Sequence, residues 1–228
     1  MKKLVKAIPE PIKSALRPFY FWANRRLRNL VTAKKSRAEL ERYWRDPMDH
    51  NAPNSYIEPV QRSEFLLKFF KKYADSQDKI LEIGCNVGRN LNYLFVAGYK
   101  NLRGIEISKE AVELMKRVYP KILSSVKVDI NSVENAVKTI ENDSFDVVFT
   151  MAVFQHIHPD SEFVFSEVAR ITKKYLIIIE DEDGVTWRHF PRRYKKIFEN
   201  LGMRQIEQFN CKEIADFGRN YWVRVFTK

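Results

Sequence analysis

The stretch Lys79–Leu91, KILEIGCNVGRNL, constrains this chain more than any other. It opens as a short apolar run, Ile80-Leu81-Glu82-Ile83, breaks at Gly84, passes Gly88 and resumes with helical spacing. A strand, a glycine-bearing turn and a helix start are the parts of a nucleotide-binding βα unit. Glycines there let the backbone approach a ligand, and the helix start offers free N–H groups. The turn reads E-x-G-x-N-x-G, not G-x-G-x-x-G, which argues against a dinucleotide-dependent dehydrogenase. Its middle position, Asn86, is among the side chains that best tolerate a left-handed backbone after Gly.

The context of the turn is ordered. The next strand candidate, Asn101–Ile107, carries Glu106, 22 residues after Gly84. An acid about 20 residues on, at the end of a second strand, is placed to grip a ribose diol. Val126–Ile130 reads as a third strand ending in Asp129 and Ile130, and Phe145–Thr150 as a fourth that runs into a loop. Taken together, these four stretches resemble the motifs of the class I S-adenosylmethionine (SAM)-dependent methyltransferases, in the small-molecule, UbiE-like group. The first motif of that family is usually D/E-x-G-x-G-x-G, so Asn86 is a departure. The resemblance covers residues 58–228. It implies a Rossmann-like α/β fold, with a seven-stranded, mostly parallel sheet, helices on both faces and an antiparallel C-terminal hairpin. It implies SAM as cofactor, held by Glu82, Gly84, Asn86 and Gly88 in the turn, by Glu106 and Ile107 at the ribose, by Asp129 and Ile130 at the adenine, and by Thr150 and Met151 where the fourth strand ends.

The remaining pattern agrees with alternating strands and helices, which give a parallel sheet. Helices are predicted over 58–73, 88–97, 109–118, 131–141, 160–171 and 191–200. Strands are predicted over 102–106, 125–128, 145–149, 174–180, 203–209 and 221–227. The run KYLIIIE at 174–180 is apolar throughout, as a strand buried on both faces must be.

Charge divides the chain. Residues 1–45 hold 13 Lys/Arg against 3 Asp/Glu, although the whole chain carries only +11. We therefore read residues 1–55 as a basic helical extension and 56–228 as the methyltransferase domain. Apolar residues recur with helical steps from Ile12 to Leu30, with aromatics at 19–22 and arginines at 25, 26 and 28. Such a segment suits an anionic membrane surface, packing on the domain or a second copy, or, less well, nucleic acid. The expectation is a cytoplasmic protein, peripheral to the inner membrane surface through residues 1–31. Two cysteines, Cys85 and Cys211, give neither a disulfide framework nor metal-ligand spacing. Ser36 and Glu39 spell a capping box for a helix over 36–45.

Methyl transfer needs alignment, and an oxygen nucleophile usually also needs a base. The loop 150–159, TMAVFQHIHP, supplies His156 as the candidate base, because imidazole titrates near neutral pH. A histidine here is also a common element of local structure in this broad group. Tyr56, Phe154 and His158 are candidates for the substrate pocket, with Tyr43, Trp44 and His50 nearby in sequence. Gln61 and Arg62 are within reach of the SAM carboxylate in the family's arrangement. The acids 180–183 invite a divalent metal, but contiguous acids rarely all face one ion, so no metal is expected. Arg192, Arg193, Lys195 and Lys196 read as a solvated face or a phosphate contact. The loop lacks the Asn/Asp-Pro-Pro-aromatic tetrapeptide with which resembling families position an amino group. That favours a small-molecule, glycan or lipid-linked acceptor and O-methylation. An RNA methyltransferase with a basic tether and a non-catalytic SAM-binding protein are the alternatives.

Overall fold

The computed structural model describes residues 35–58 and 60–228. The helix expected over 12–30, and with it the membrane segment 1–31, lies outside the described residues.

Seven strands form one sheet: β1 (Ile80–Ile83), β2 (Leu102–Glu106), β3 (Val126–Ile130), β4 (Phe145–Met151), β5 (Thr172–Asp181), β6 (Arg204–Asn210) and β7 (Tyr221–Thr227). Their spatial order is β3-β2-β1-β4-β5-β7-β6. β1 pairs in parallel with β2 on one side and β4 on the other, aligning Ile83 with Ile105 and with Thr150. The chain winds outward from β1 in one direction and then, from β4, in the other. A crevice opens at the carboxyl ends of strands where the order reverses in this way. β7 inserts antiparallel between β5 and β6, which gives the expected C-terminal hairpin.

Among the described residues the helices are α1 (Arg37–Arg45), α2 (Gln61–Tyr73), α3 (Arg89–Val96), α4 (Lys109–Val118), α5 (Val133–Ala136), α6 (Phe163–Ile171) and α7 (Tyr194–Asn200). Successive strand residues point to opposite faces. Ile80, Val147, Phe149 and Ile177 thus join one core with Phe65, Phe69 and Phe70 of α2, Leu91 of α3 and Met115 of α4. Leu81, Val148, Leu176 and Ile178 join the other with Val137, Val168 of α6 and Phe198 of α7. Leu176–Ile179 are fully buried, as the apolar run predicts.

Several boundaries shift for identifiable reasons. The stripe expected as a helix over 131–141 is met by α5 and a 3₁₀ turn at Val137–Thr139. α6 starts at Phe163 because Pro159–Ser161 forms its own 3₁₀ turn, capped by His158. α7 starts at Tyr194, since the segment before it spends its side chains on the neighbouring loop, as described below. At α1 the capping box forms as predicted: Glu39 N donates to Ser36 Oγ (3.3 Å) and Ser36 N to Glu39 Oε2 (2.9 Å). Among the described residues no helix is long and apolar enough to cross a membrane.

Candidate active site

The turn after β1 has the backbone its sequence requires. Gly84, Asn86 and Gly88 all have positive φ, +70°, +47° and +73°. Asn86 fills the left-handed position and accepts a hydrogen bond from Val87 N at its own Oδ1 (2.8 Å). Gly84 and Gly88 also have no room for a side chain: a Cβ would collide with Val153 and with Met115, respectively. Cys85 is buried against Gly104, which places it in packing rather than chemistry.

Glu106 ties this turn to β2. Its carboxylate accepts Asn86 N (2.7 Å) and Ser108 N (2.8 Å). Burial raises its pKa, and those backbone donors pull against the rise. Glu106, Ile107 and Ser108 all line a cleft over the strand ends, together with Gly84 and Asn86. Gly88 does not line it and serves as the start of α3.

Glu82 occupies the floor of the cleft, 2 % exposed. Its Oε1 accepts Asn90 Nδ2 (2.7 Å), while Oε2 is buried with no partner. Burial pushes its pKa up to about 8, against the Asn90 bond and the nearby charge of Arg89. Asn90 Oδ1 accepts Ser63 Oγ (2.6 Å), and Arg89 reaches Ser63 Oγ (2.8 Å) and the Tyr56 carbonyl (2.9 Å). Arg89 and Asn90 thus bring α2, α3 and the 53–56 turn to one wall. Sequence reasoning missed both; the available signal was two polar residues opening the helix just after the turn. Arg62 also lines the cleft, held by the Asp216 carbonyl and the Phe217 ring, with its buried Nε unpartnered. Gln61 is exposed and does not line it.

The adenine end departs from the sequence reading. Asp129 and Ile130 do not line the cleft. Asp129 is on the same sheet face as Arg103 and accepts its Nε (2.7 Å), and Ile130 is 45 % exposed. Asn131, Val133 and Glu134 line this end instead, with Asn131 N donating to the Glu106 carbonyl (2.9 Å).

The loop after β4 also corrects two assignments. Thr150 is fully buried beneath the loop, where its hydroxyl donates to Glu180. Glu180 also accepts Val153 N (3.0 Å) and Gln155 N (3.2 Å), and burial raises its pKa to about 7. Phe154 is not a pocket residue. It is fully buried in the core with Phe165, Tyr194 and Phe198. Met151 lines the cleft as expected.

His156 reaches the cleft wall but is not free to act as a base. Its Nδ1 is 2.8 Å from the Arg188 carbonyl, so Nδ1 carries the proton and donates. Nε2 then accepts from Gln155 Nε2 (3.3 Å), whose second hydrogen goes to the Tyr221 hydroxyl (3.0 Å). Burial, then the neighbouring His189, holds its pKa well below 6.5. The ring packs on Trp44 (4.5 Å between centroids) and on His189 (4.6 Å). His158 lines the cleft, and its Nδ1 accepts Asp160 N (3.1 Å).

α1 roofs this half of the cleft with Arg37, Leu40, Glu41 and Trp44, followed by Pro47. Tyr43 packs edge-on against Trp44 and Trp187 behind the wall, and His50 is exposed. Tyr56 lines the cleft, and its hydroxyl donates to Asn51 Oδ1 (3.3 Å). Arg37, Leu40, Glu41, Trp44 and Pro47, all within the stretch assigned to the extension by charge, therefore line the cleft beside Tyr56.

The acids 180–183 have separate duties. Glu180 holds the β4 loop. Asp181 accepts the N–H groups of Asp183 and Gly184, and Glu182 is bonded twice by Arg224 (2.5 and 2.9 Å). Arg192 is buried and donates to the carbonyls of Phe154 (3.2 Å) and Ile157 (2.7 Å). It clamps the same loop and is not a surface phosphate contact.

A cleft at the switch point, a left-handed turn after β1 and an acid closing β2 are the features of a Rossmann-like nucleotide-binding fold. Residues 81–178 match the family described as a methyltransferase domain. The chain is similar to the ubiquinone biosynthesis O-methyltransferase of Rickettsia bellii, 26% identical over 125 residues, covering 54% of this chain and 50% of that protein. It is also similar to an O-methyltransferase of Pyrenophora dematioidea, 22% identical over 132 residues, covering 58% of this chain and 48% of that protein. The matches to these curated relatives span about half of each relative's length. Among solved structures, magnesium protoporphyrin IX methyltransferase from Synechocystis, with bound SAM, superposes with a TM-score of 0.67 at 13% identity, covering 86% of this chain and 98% of that one. A SAM-dependent methyltransferase from Archaeoglobus fulgidus gives 0.61 at 15% identity, covering 77% and 97%. These likenesses establish the fold.

The residues present fit SAM, the cofactor of this class. A buried carboxylate oxygen without a partner, Glu82 Oε2, and an unpartnered Arg62 Nε border the cleft, which suits the charged ends of an amino acid. Glu106 and Asn131 border the same cleft.

Proposed function

We propose that this chain is a SAM-dependent O-methyltransferase whose acceptor is a small molecule, a glycan or a lipid-linked intermediate. The observation that carries this reading is the division of the cleft. One half is polar and built at the ends of β1 and β2; the other is walled by Leu40 and Trp44 of α1 with Pro47 and Ile157, among the polar groups of Arg37, Glu41, His156 and His158. A mixed wall of this kind suits a small acceptor held against a cofactor. The two curated relatives named above are O-methyltransferases, which supports oxygen as the nucleophile.

When bound, SAM supplies a methyl group on a sulfonium, ready for in-line displacement. The chain's part is placement. Glu82, Asn90 and Arg62 would hold the amino-acid end, Glu106 the ribose and Asn131 the base. Met151 and the clamped loop 152–158 set the distance between the halves, and α1 excludes water. Alignment and desolvation of this kind supply much of the rate in such a transfer.

The basic, aromatic segment 1–31 precedes α1 in sequence by five residues. We place the acceptor mouth at an anionic membrane surface on that ground. Methyl transfer from radiolabelled SAM into fractionated cell extract, with anionic liposomes present, tests the whole reading. Label in lipid or small-molecule fractions is expected. Label confined to RNA would overturn it in favour of a tethered RNA enzyme, and SAM binding without label in any fraction would favour a non-catalytic binding protein.

A further inference from the structure

We propose that the acceptor is an apolar, ring-sized molecule bearing an anionic group, of the carboxylate class, and that Arg37 is the residue that reads the anion. This rests on the assignment of the α1 half of the cleft to the acceptor.

Few polar groups on that wall are uncommitted. Leu40 is 3 % exposed and Ile157 6 %, and with Trp44 and Pro47 they give an apolar surface. Four ionisable side chains face the same space: Arg37, Glu41, His156 and His158. Glu41 is paired with a cation on its own helix, its Oε1 2.6 Å from the Arg45 guanidinium one turn along α1. His156 has both ring nitrogens engaged, by the Arg188 carbonyl and by Gln155. His158 uses Nδ1 to accept Asp160 N, so in its neutral form the proton sits on Nε2, which can only donate. Arg37 has no hydrogen-bond or ion-pair partner among the described residues, although its neighbours Lys35 and Arg45 both do. The Trp44 indole N–H, on the same wall, is buried without an acceptor.

Beyond the paired Glu41, the groups left over, Arg37, His158 Nε2 and the Trp44 N–H, are donors, and Arg37 carries a fixed positive charge. Apart from Glu41, which is paired with Arg45, the wall's ionisable groups offer no free acceptor. Such a wall disfavours an amine or a cationic acceptor and favours a planar, apolar body with a carboxylate, for which guanidinium is the matching bidentate donor. It also explains how the site can dispense with a histidine base: an acceptor oxygen that is acidic on its own account ionises without one.

The test uses the full chain saturated with S-adenosylhomocysteine. Benzoate, benzamide and benzylamine are compared by saturation-transfer NMR and by competition titration, in wild type and in Arg37→Ala, Arg37→Lys and Arg37→Glu. Arg37 is exposed, so these variants keep the fold. Benzoate is expected to bind at least tenfold more tightly than benzamide, with benzylamine weakest. Arg37→Ala should erase that preference, Arg37→Lys should retain part of it, and Arg37→Glu should reverse it toward benzylamine. Affinity for S-adenosylhomocysteine should be the same in all four proteins. Equal binding of benzoate and benzamide, absence of binding by either, or a preference that survives Arg37→Ala would each overturn the proposal. Failure of S-adenosylhomocysteine itself to bind would instead overturn the cofactor reading beneath it.

Discussion

Replacing Glu82 by Gln should remove a loss of stability that the wild-type protein suffers as pH rises. The folded-state pKa of Glu82 is raised from 4.5 to about 8, chiefly by burial, so between those values the folded chain holds a proton that the unfolded chain has released. Stability must then fall with pH across that window, because the folded state binds more protons. A tenfold difference in proton affinity between the two states is worth about 1.4 kcal/mol, so the loss attributable to this group is on the order of 4 kcal/mol by about pH 8.5. Gln keeps an oxygen for the Asn90 Nδ2 bond and cannot ionise. The assay is urea unfolding of both proteins, free of cofactor, at pH 5 and pH 8.5. Glu180, with its pKa raised to about 7, contributes a fall of the same sign over an overlapping window. His156, held below 6.5, contributes the opposite sense, since its stabilisation is lost as pH falls. The diagnostic quantity is therefore the difference between the two proteins. The variant should gain on wild type from pH 5 to pH 8.5, and identical pH profiles would refute the reasoning.

Three further outcomes follow from the geometry. Gly84→Ala forces a side chain onto a residue at φ +70° and against Val153, so thermal unfolding should show a cost of about 1–3 kcal/mol. Glu106→Ala removes the acceptor of two backbone N–H groups and the carboxylate we propose for the ribose; calorimetry should show S-adenosylhomocysteine affinity reduced at least tenfold with the circular dichroism spectrum retained, and unchanged affinity would refute the register assigned to β2. His156→Ala should cost about 1–2 kcal/mol of stability for the lost hydrogen bonds and ring packing, read as a lower melting temperature. Its residual turnover should keep the wild-type pH profile, whereas loss of a base would change the profile's acid limb.

The path of the backbone is largely legible in the amino-acid sequence, and the reasons are local. Strand and helix periods at 102–106, 109–118 and 221–227 give the observed bounds, and the left-handed tolerance of Asn predicts the observed φ of Asn86. Side-chain direction at the strand ends is harder to read. The order of the motifs assigns Asp129 to the cofactor, but the pleat points it at Arg103, and Asn131 takes the cleft. Phe154 reads as pocket wall because its loop faces the site, yet the 3₁₀ turn at Phe154–His156 drives that ring into the core. Arg192 looks like one of four surface cations. Three carbonyls and two rings at the loop hold it instead, and no pattern in the sequence announces such long-range contacts.

Three carboxylates, Glu82, Glu106 and Glu180, stand at or near the carboxyl ends of β1, β2 and β5, and one physical need accounts for their placement. Loops leaving parallel strands carry N–H groups that no neighbouring strand accepts, and buried donors must find partners. Glu106 meets the turn after β1 and the start of α4. Glu180 meets Thr150 and the loop after β4. In both, each oxygen already has a donor, so their raised pKa values reflect structure. Glu82 differs in one respect: a single oxygen is engaged and the other is buried and open. An open carboxylate oxygen in the floor of a cleft favours a cation arriving there, and such a cation would stabilise the ionised form that burial opposes. The residue that most weakens the empty protein at alkaline pH is thus the one that would contribute most to holding a positively charged ligand. Proton release on titration with SAM or S-adenosylhomocysteine, measured in buffers of different ionisation enthalpy, is the signature that links the two.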